Sequence, residues 1–311
     1  MLHALAKGFF HVAAHSHALK GIASRYGMAT PRSFARRFIA GEDIDEALAA
    51  CRVIQAQGML VTLDHLGESV TGLAAAEAAT RDYLQLMERI PPSGVDRNIS
   101  VKLTQLGLDV DRGIVVDNVR RILEAAKRLD FFVRIDMESF AHVQPTLDVF
   151  DTIWQQEYRN AGVVLQSALR RSESDLDHLI ARRACVRLVK GAYRESRAVA
   201  YSKKADVDRA FARMLRRLLL EGNYPAIATH DPAMIAEAKR VAVDHRVAPD
   251  RFEFQMLYGI RRDIQAALVA EGHRLRVYVP YGREWFPYFM RRLGERPANA
   301  LFVARSLIAE R

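Results

Sequence analysis

The chain has 311 residues, half of them hydrophobic, a length that suits one large α/β barrel. It shows no long apolar span for a membrane helix and no secretory signal, and its two cysteines, Cys51 and Cys185, form neither a metal spacing nor a disulfide framework and read as reduced thiols. The net charge of +9 is dispersed, with Arg-Arg pairs at 36–37, 120–121, 170–171, 182–183, 216–217, 261–262 and 291–292, which reads as solvated helix faces and argues against a nucleic-acid partner.

Residues 1–57 read as an N-terminal helical arm packing on the body of the protein. Leu5, Phe9 and Val12 share one face, and a second helical run covers 44–57. His3, His11, His15 and His17 include one i, i+4 pair, His11 and His15, but no acidic third ligand is near, so helix surface is expected rather than metal.

From residue 58 to 311 the pattern changes. Eight β-branched or apolar runs are bounded by turn residues: MLVTLDHLG (59–67), NISVKLT (98–104), FFVRIDME (131–138), AGVVLQS (161–167), CVRLVKGAY (185–193), PAIATHD (225–231), FEFQMLYG (252–259) and LRVYVPYG (275–282). Segments with helical spacing separate them, for example 113–129, 198–221 and 232–245. Eight strands alternating with helices predict an α/β protein with a (β/α)8 TIM-like barrel; a doubly wound open sheet also alternates but gives no reason for eight.

In such a barrel the active site lies at the C-terminal ends of the strands. Those ends carry Asp64, His65, Lys102, Asp136, Glu138, Gln166, Arg187, Lys190, Thr229, His230, Asp231, Gln255 and Tyr278. Any one of these alone is more often a salt bridge or a cap. The segment RLVKGAY (187–193) is the most telling, because Arg187 and Lys190 end an apolar run just before a glycine turn. Buried cations are costly unless an anion or an electron-rich ligand receives them, so a negatively charged ligand is expected at the rim. No G-x-G-x-x-G, P-loop or G-x-S-x-G motif is present. Asp64-His65 and His230-Asp231 are sequence neighbours facing opposite sides of a strand, which makes a metal site from them weak. A Schiff-base aldolase using Lys102 or Lys190 is the rival mechanism, and a basic binding module for nucleic acid or an anionic membrane surface is a third reading.

Taken in order, ISVKLTQLGLD (99–109), RIDME (134–138), VLQSAL (164–169), RLVKGAY (187–193), ATHD (228–231), FEFQMLYG (252–259), RVYVPYG (276–282) and YFMRRL (288–293) resemble the successive motifs of the monofunctional bacterial proline dehydrogenases. The resemblance runs from about Asp64 to Leu293 and is loose over the first 57 residues. It implies an FAD-dependent barrel that oxidises L-proline to Δ1-pyrroline-5-carboxylate, with the flavin across the barrel mouth, which accounts for the missing Rossmann fingerprint. It implies a proline pocket of Lys102, Asp136, Leu257, Tyr278, Arg291 and Arg292. It also implies FAD contacts from Met137, Gln166, Arg187, Lys190, Gly191, Ala192, Thr229 and His230, with Arg134 as a further flavin neighbour.

Asp136 and Arg187 carry the implied catalytic roles, Asp136 by orienting cations and Arg187 by stabilising negative charge on the flavin. Glu68 matches a family position that pairs with Arg291 and closes the site; the alternative is a cap for a helix beginning near Val70. The resemblance further implies non-covalent flavin, no metal, a membrane quinone as electron acceptor, and a cytoplasmic location compatible with peripheral contact at the inner face of the membrane. Without the aldehyde dehydrogenase and DNA-binding regions of the fused relatives, one reaction is expected.

Overall fold

The computed structural model describes Met28 and residues 33–193 and 195–295. The first expected helix of the arm, with Leu5, Phe9, Val12 and the histidines His3, His11, His15 and His17, lies outside the described residues.

The eight expected strands are β1 (Leu60–His65), β2 (Asn98–Val101), β3 (Phe132–Ile135), β4 (Ala161–Gln166), β5 (Cys185–Val189), β6 (Ala226–Ala228), β7 (Glu253–Leu257) and β8 (Leu275–Tyr281). All pair in parallel with their sequence neighbours. β8 returns to β1, with Leu60 opposite Arg276 and His65 opposite Tyr281, so the sheet closes into a barrel. Most of the predicted runs overshoot the ladder. Lys102, Asp136, Lys190 and His230 lie just past the last paired residue, where polar side chains reach the mouth.

Helix α1 (Ile44–Gln55) precedes the barrel. Helices α2 (Leu73–Arg89), α3 (Arg112–Arg128), α4 (Phe140–Gln155), α5 (Ser172–Ala181), α6 (Lys204–Glu221), α7 (Pro232–Asp244), α8 (Arg262–Ala270) and α9 (Trp285–Glu295) each follow one strand. The helix expected over 198–221 begins only at Lys204, because Ala200 first bridges back to Leu169. Three helices start on aspartates whose side chains accept from the first-turn backbone: Asp43 from Glu46 N, Asp111 from Ile114 N and Asp231 from Ala233 N. The third of these ties the end of β6 to α7 at the mouth.

Alternation along the strands divides two environments. Val61, Leu63, Ile99, Val101, Val133, Ile135, Val186, Leu188, Val277 and Val279 are buried in one apolar core with the helices, to which α1 contributes Ala47, Leu48, Cys51 and Ile54. The alternate side chains fill the barrel, and here most are polar, with Val164, Ala228 and Leu257 among the exceptions. Arg187 on β5 donates to Ser100 Oγ on β2 at 3.1 Å, and Tyr278 on β8 donates to Asp136 after β3 at 2.7 Å. Such pairs join non-adjacent strands and can only meet inside. At the opposite end Arg276 donates to both oxygens of Glu253, at 2.9 and 3.0 Å. Burial opposes ionisation of Glu253, and Arg276 more than offsets it, so the carboxyl is held below its ordinary range. A column of ion pairs replaces the aliphatic layers common in this fold.

A second apolar cluster holds α9. Trp285, Phe286, Phe289 and Met290 pack with Phe34, Ala35, Phe38, Ile39 and Leu66, and the Phe34 and Phe289 rings lie 5.2 Å apart. With that face anchored, Tyr288, Arg291 and Arg292, which share another stripe by i, i+3 and i+4 spacing, line the barrel mouth.

Candidate active site

The mouth encloses a cavity of about 460 Å³ whose walls come from strands β2 to β8 and from α9. The structure brings Lys102, Asp136, Met137, Gln166, Arg187, Lys190, Gly191, Ala192, Thr229, His230, Leu257, Tyr278, Arg291 and Arg292 to it. Arg134 is not among the lining residues. It sits in the column below, donating to the carbonyls of Val163 at 3.2 Å and Cys185 at 2.5 Å, beside the ring of Phe132. A side chain at position 162 would collide with it, since a Cβ on Gly162 would lie 2.4 Å from Arg134 Nη1. Burial and the neighbouring Arg187 lower the pKa of Arg134.

Asp136 is the hub of the site. Its carboxylate accepts from Arg187 Nη1 and from Tyr278 OH, both at 2.7 Å, and Lys102 Nζ lies 3.8 Å away. Lys102 donates to Asp64 Oδ1 at 2.6 Å and to Tyr278 OH at 3.4 Å. Burial disfavours the charged lysine, but Asp64 and Asp136 outweigh it, and the pKa rises above the ordinary lysine range. Burial, reinforced by Asp136, pushes the Tyr278 phenol well up, so it remains a neutral donor.

A second group of charges stands on the β5 and β6 side. Lys190 Nζ donates to Asp208 and, at 2.6 Å, to Asp231 Oδ2. Burial opposes the charge on Asp231, yet bonds from Lys190 and Lys204 bring its pKa to about 2. Gly191 has φ of +108°, and a Cβ there would lie 2.9 Å from Gln166 Oε1. Gln166 in turn donates to the Glu138 carbonyl at 2.7 Å, while the Glu138 carboxylate accepts from Thr104 Oγ1 at 2.6 Å. Glu138 therefore clasps the loop after β2 to the end of β3. His230 Nε2 accepts from Leu257 N at 2.9 Å.

Glu68 lines a neighbouring cavity of about 740 Å³ bounded by α2 and α9, which shares Lys102, Tyr288 and Arg291 with the mouth. The larger cavity holds fewer convergent buried charges, so the smaller is the candidate active site. Glu68 Oε1 accepts from Arg291 Nη1 at 2.5 Å, at the boundary between the two. The helix expected near Val70 begins at Leu73 with Gly72 at its N-cap, so Glu68 does not cap it. Among the cavity residues, two tyrosines had received no role from the sequence: Tyr288, detectable by its spacing to Arg291, and Tyr193, the last residue of RLVKGAY. Asp64 had received none either; it lies behind the cavity wall, where it backs Lys102, and was detectable as a strand-end carboxylate.

A closed parallel barrel with charges converging at its mouth under an arginine-bearing helix is the architecture of a (β/α)8-barrel enzyme. The family profile described as proline dehydrogenase matches residues 47–305. Proline dehydrogenase 2 of Bacillus subtilis is 41% identical over 303 residues, covering 97% of this chain and 99% of that protein. The proline dehydrogenase of Deinococcus radiodurans is 41% identical over 280 residues, 89% of this chain and 90% of its own. A crystal structure of proline utilization A from Bdellovibrio bacteriovorus, inactivated by N-propargylglycine, superposes with a TM-score of 0.78 at 29% identity, over 84% of this chain and 32% of that one.

The chain belongs to the proline dehydrogenase family and is an enzyme that oxidises proline. The aldolase alternative falls with that finding. Lys102 is held protonated between carboxylates, and Lys190 is clamped by two aspartates, whereas a Schiff-base lysine must be free and neutral. Among the described residues no helix is long and apolar enough to cross a membrane.

Proposed function

We propose that the protein is a cytoplasmic, FAD-dependent enzyme that converts L-proline to Δ1-pyrroline-5-carboxylate by hydride transfer and passes the electrons to a membrane quinone. Residues 1–57 form its arm and 58–311 its catalytic barrel. One observation carries the reading: Lys102, Arg291 and Arg292 line one cavity with Leu257 and the neutral phenol of Tyr278. That combination matches a carboxylate on a small apolar ring.

The residues present fit a flavin. Arg187 Nε is buried beside the cavity without a hydrogen-bond partner among the described residues, and the Gly191–Ala192 wall has almost no side chain to fill the space. Met137, Gln166, Arg187, Lys190, Gly191, Ala192, Thr229 and His230 would hold the cofactor, while Arg134 stays below the cavity on the carbonyls of Val163 and Cys185. When bound, the flavin supplies the two-electron acceptor for the hydride from the ring carbon beside the proline nitrogen.

The chain's own groups do the rest. Arg291 and Arg292 donate forked hydrogen bonds to the substrate carboxylate, and Lys102 adds a third positive charge. The same cations favour the neutral amine that hydride departure requires. Asp136 fixes Arg187 and Tyr278 in place, and Arg187 stabilises the negative charge that arrives with the hydride. Glu68 and Arg291 close the wall and exclude water.

The test is a visible absorbance spectrum of the purified protein followed by anaerobic L-proline. A flavin band that bleaches with proline is the expected result. A colourless protein, or a flavin band indifferent to proline, would overturn the proposal.

A further inference from the structure

Of the three cations in the proposed pocket, Lys102 is distinguished by what stands behind it. Asp64, on β1, has no exposed surface, and its Oδ1 accepts from Lys102 Nζ at 2.6 Å. Its other oxygen, Oδ2, is buried with no hydrogen-bond partner among the described residues, and so is the hydroxyl of Thr62 on the same strand. A carboxylate left half satisfied at such depth is a poor packing choice, since apolar residues in place of a buried ion pair are often neutral or stabilising.

Asp136 does not substitute for it. That carboxylate already accepts two 2.7 Å bonds, from Arg187 and Tyr278, and its contact with Lys102 is 3.8 Å. The Lys102–Tyr278 bond is long at 3.4 Å. Among the described residues, Asp64 thus makes the one short bond to the ammonium, from the side away from the mouth.

We propose that Asp64 is a positioning residue for proline oxidation: it anchors the Lys102 ammonium so that the group stays charged and its remaining N–H bonds face the substrate carboxylate. The inference rests on the proposed role of Lys102 in holding that carboxylate. The groups facing Lys102 are Asp64 and His65 from β1, Asp136 and Glu138 from the end of β3, Tyr278 from β8, Tyr193 from the loop after β5 and Arg291 from α9. Among the described residues, only Asp64 and Asp136 bring a carboxylate within 4 Å of it.

The sign of the effect follows. Burial disfavours the ammonium and Asp64 favours it, so removing only the charge lets the lysine lose its proton at lower pH. Asp64→Asn is suited to this, because an amide oxygen still accepts the Lys102 bond. The probe is cyclopentanecarboxylate, a ring carboxylate with no amine to titrate. Its Kd should stay flat from pH 7 to 9.5 in the wild-type enzyme. In Asp64→Asn it should rise by about tenfold for each pH unit above the new lysine pKa, with flavin content unchanged. Asp64→Asn combined with Lys102→Arg should restore a flat profile, since a guanidinium keeps its charge.

A wild-type Kd at both ends of the range in Asp64→Asn, or a loss of thermal stability alone, would overturn the proposal. If the Asn variant does not fold, Asp64→Glu carries the test. It keeps the charge but displaces the ammonium, so Kd should rise several-fold with no pH dependence, and a wild-type Kd sinks the idea. Lys102→Ala separates the two levels. If it leaves Kd unchanged, the pocket reading itself is wrong; if it weakens binding while Asp64→Asn does not, only the role of Asp64 is lost.

Discussion

Glu68 and Arg291 form an ion pair at 2.5 Å that joins the loop after β1 to the helix after β8, segments brought side by side only because β8 pairs with β1. The two side chains are 29% and 27% exposed. At that exposure a static bridge contributes little, on the order of 0–1 kcal/mol. Its place at the boundary of two cavities suits it better to closing over substrate. Glu68→Ala should therefore lower kcat/KM for proline while leaving flavin content and Tm nearly unchanged. A double-mutant cycle with Arg291→Met should show strong coupling. Additive effects on proline turnover would remove the closing role.

Arg292 is the deeper of the two arginines, buried beside the Tyr288 ring. Replacing either arginine by Lys or Met should raise KM for proline with flavin retained, because a lysine cannot reproduce a forked carboxylate contact. Truncating one partner of a buried charged pair costs about 2–5 kcal/mol, which corresponds to tens- to thousands-fold in KM. Steady-state kinetics on both single variants check this, and wild-type KM in both would dismiss the clamp.

Asp136→Ala should be the most disruptive change at the mouth. It removes the carboxylate that accepts from both Arg187 and Tyr278 and, among the described residues, leaves Asp64 as the one carboxylate within 4 Å of Lys102. Breaking a buried pair by deleting one partner destabilises by about 3–5 kcal/mol. Both Tm and proline affinity should fall, and an intact Tm would show that the cations find other partners.

The barrel was legible because eight apolar runs each ended in charged or polar residues, and a parallel barrel buries both strand faces while exposing only those ends. The list of mouth residues was nearly complete for the same reason. What sequence could not convey was depth. Arg134 is two residues before Asp136 on the same inward face, and that single step lowers it out of the cavity and onto the carbonyls of Val163 and Cys185. Nor could it say which carboxylate serves which cation, since Asp64 and Asp136 are both strand-end aspartates and only the closed barrel brings the first to Lys102 and the second to Arg187. Arg291-Arg292 looked like the six other arginine pairs until the aromatic anchors of α9 turned one face of that helix toward the mouth.

The flavin should be bound without a covalent bond. Of the residues expected near it, His230 is the one with attachment chemistry, and its Nε2 lone pair is engaged by Leu257 N at 2.9 Å. Acid precipitation should release the yellow colour into the supernatant. Colour retained in the pellet would contradict this and point to the histidine.

The cap of α7 gives a prediction for acid stability. Asp231 titrates at about 2 when folded, because bonds from Lys190 and Lys204 overcome the burial that opposes its charge. An unfolded aspartate titrates near about 3.9. A depressed folded pKa means stabilisation fully present above the unfolded value and lost as pH falls toward 2. The shift alone would correspond to about 2–3 kcal/mol, but Lys204 is 74% exposed and screened by solvent, so about 1 kcal/mol is the better expectation. Asp231→Asn should thus lower Tm most at pH 6, with the difference from wild type narrowing from about pH 4.5 to pH 3. The measurement is Tm of both proteins across that range in one ionic strength. A gap that stays constant down to pH 3 would mean that the aspartate acts only through its cap to Ala233, a hydrogen bond that asparagine keeps, and that its charge contributes nothing.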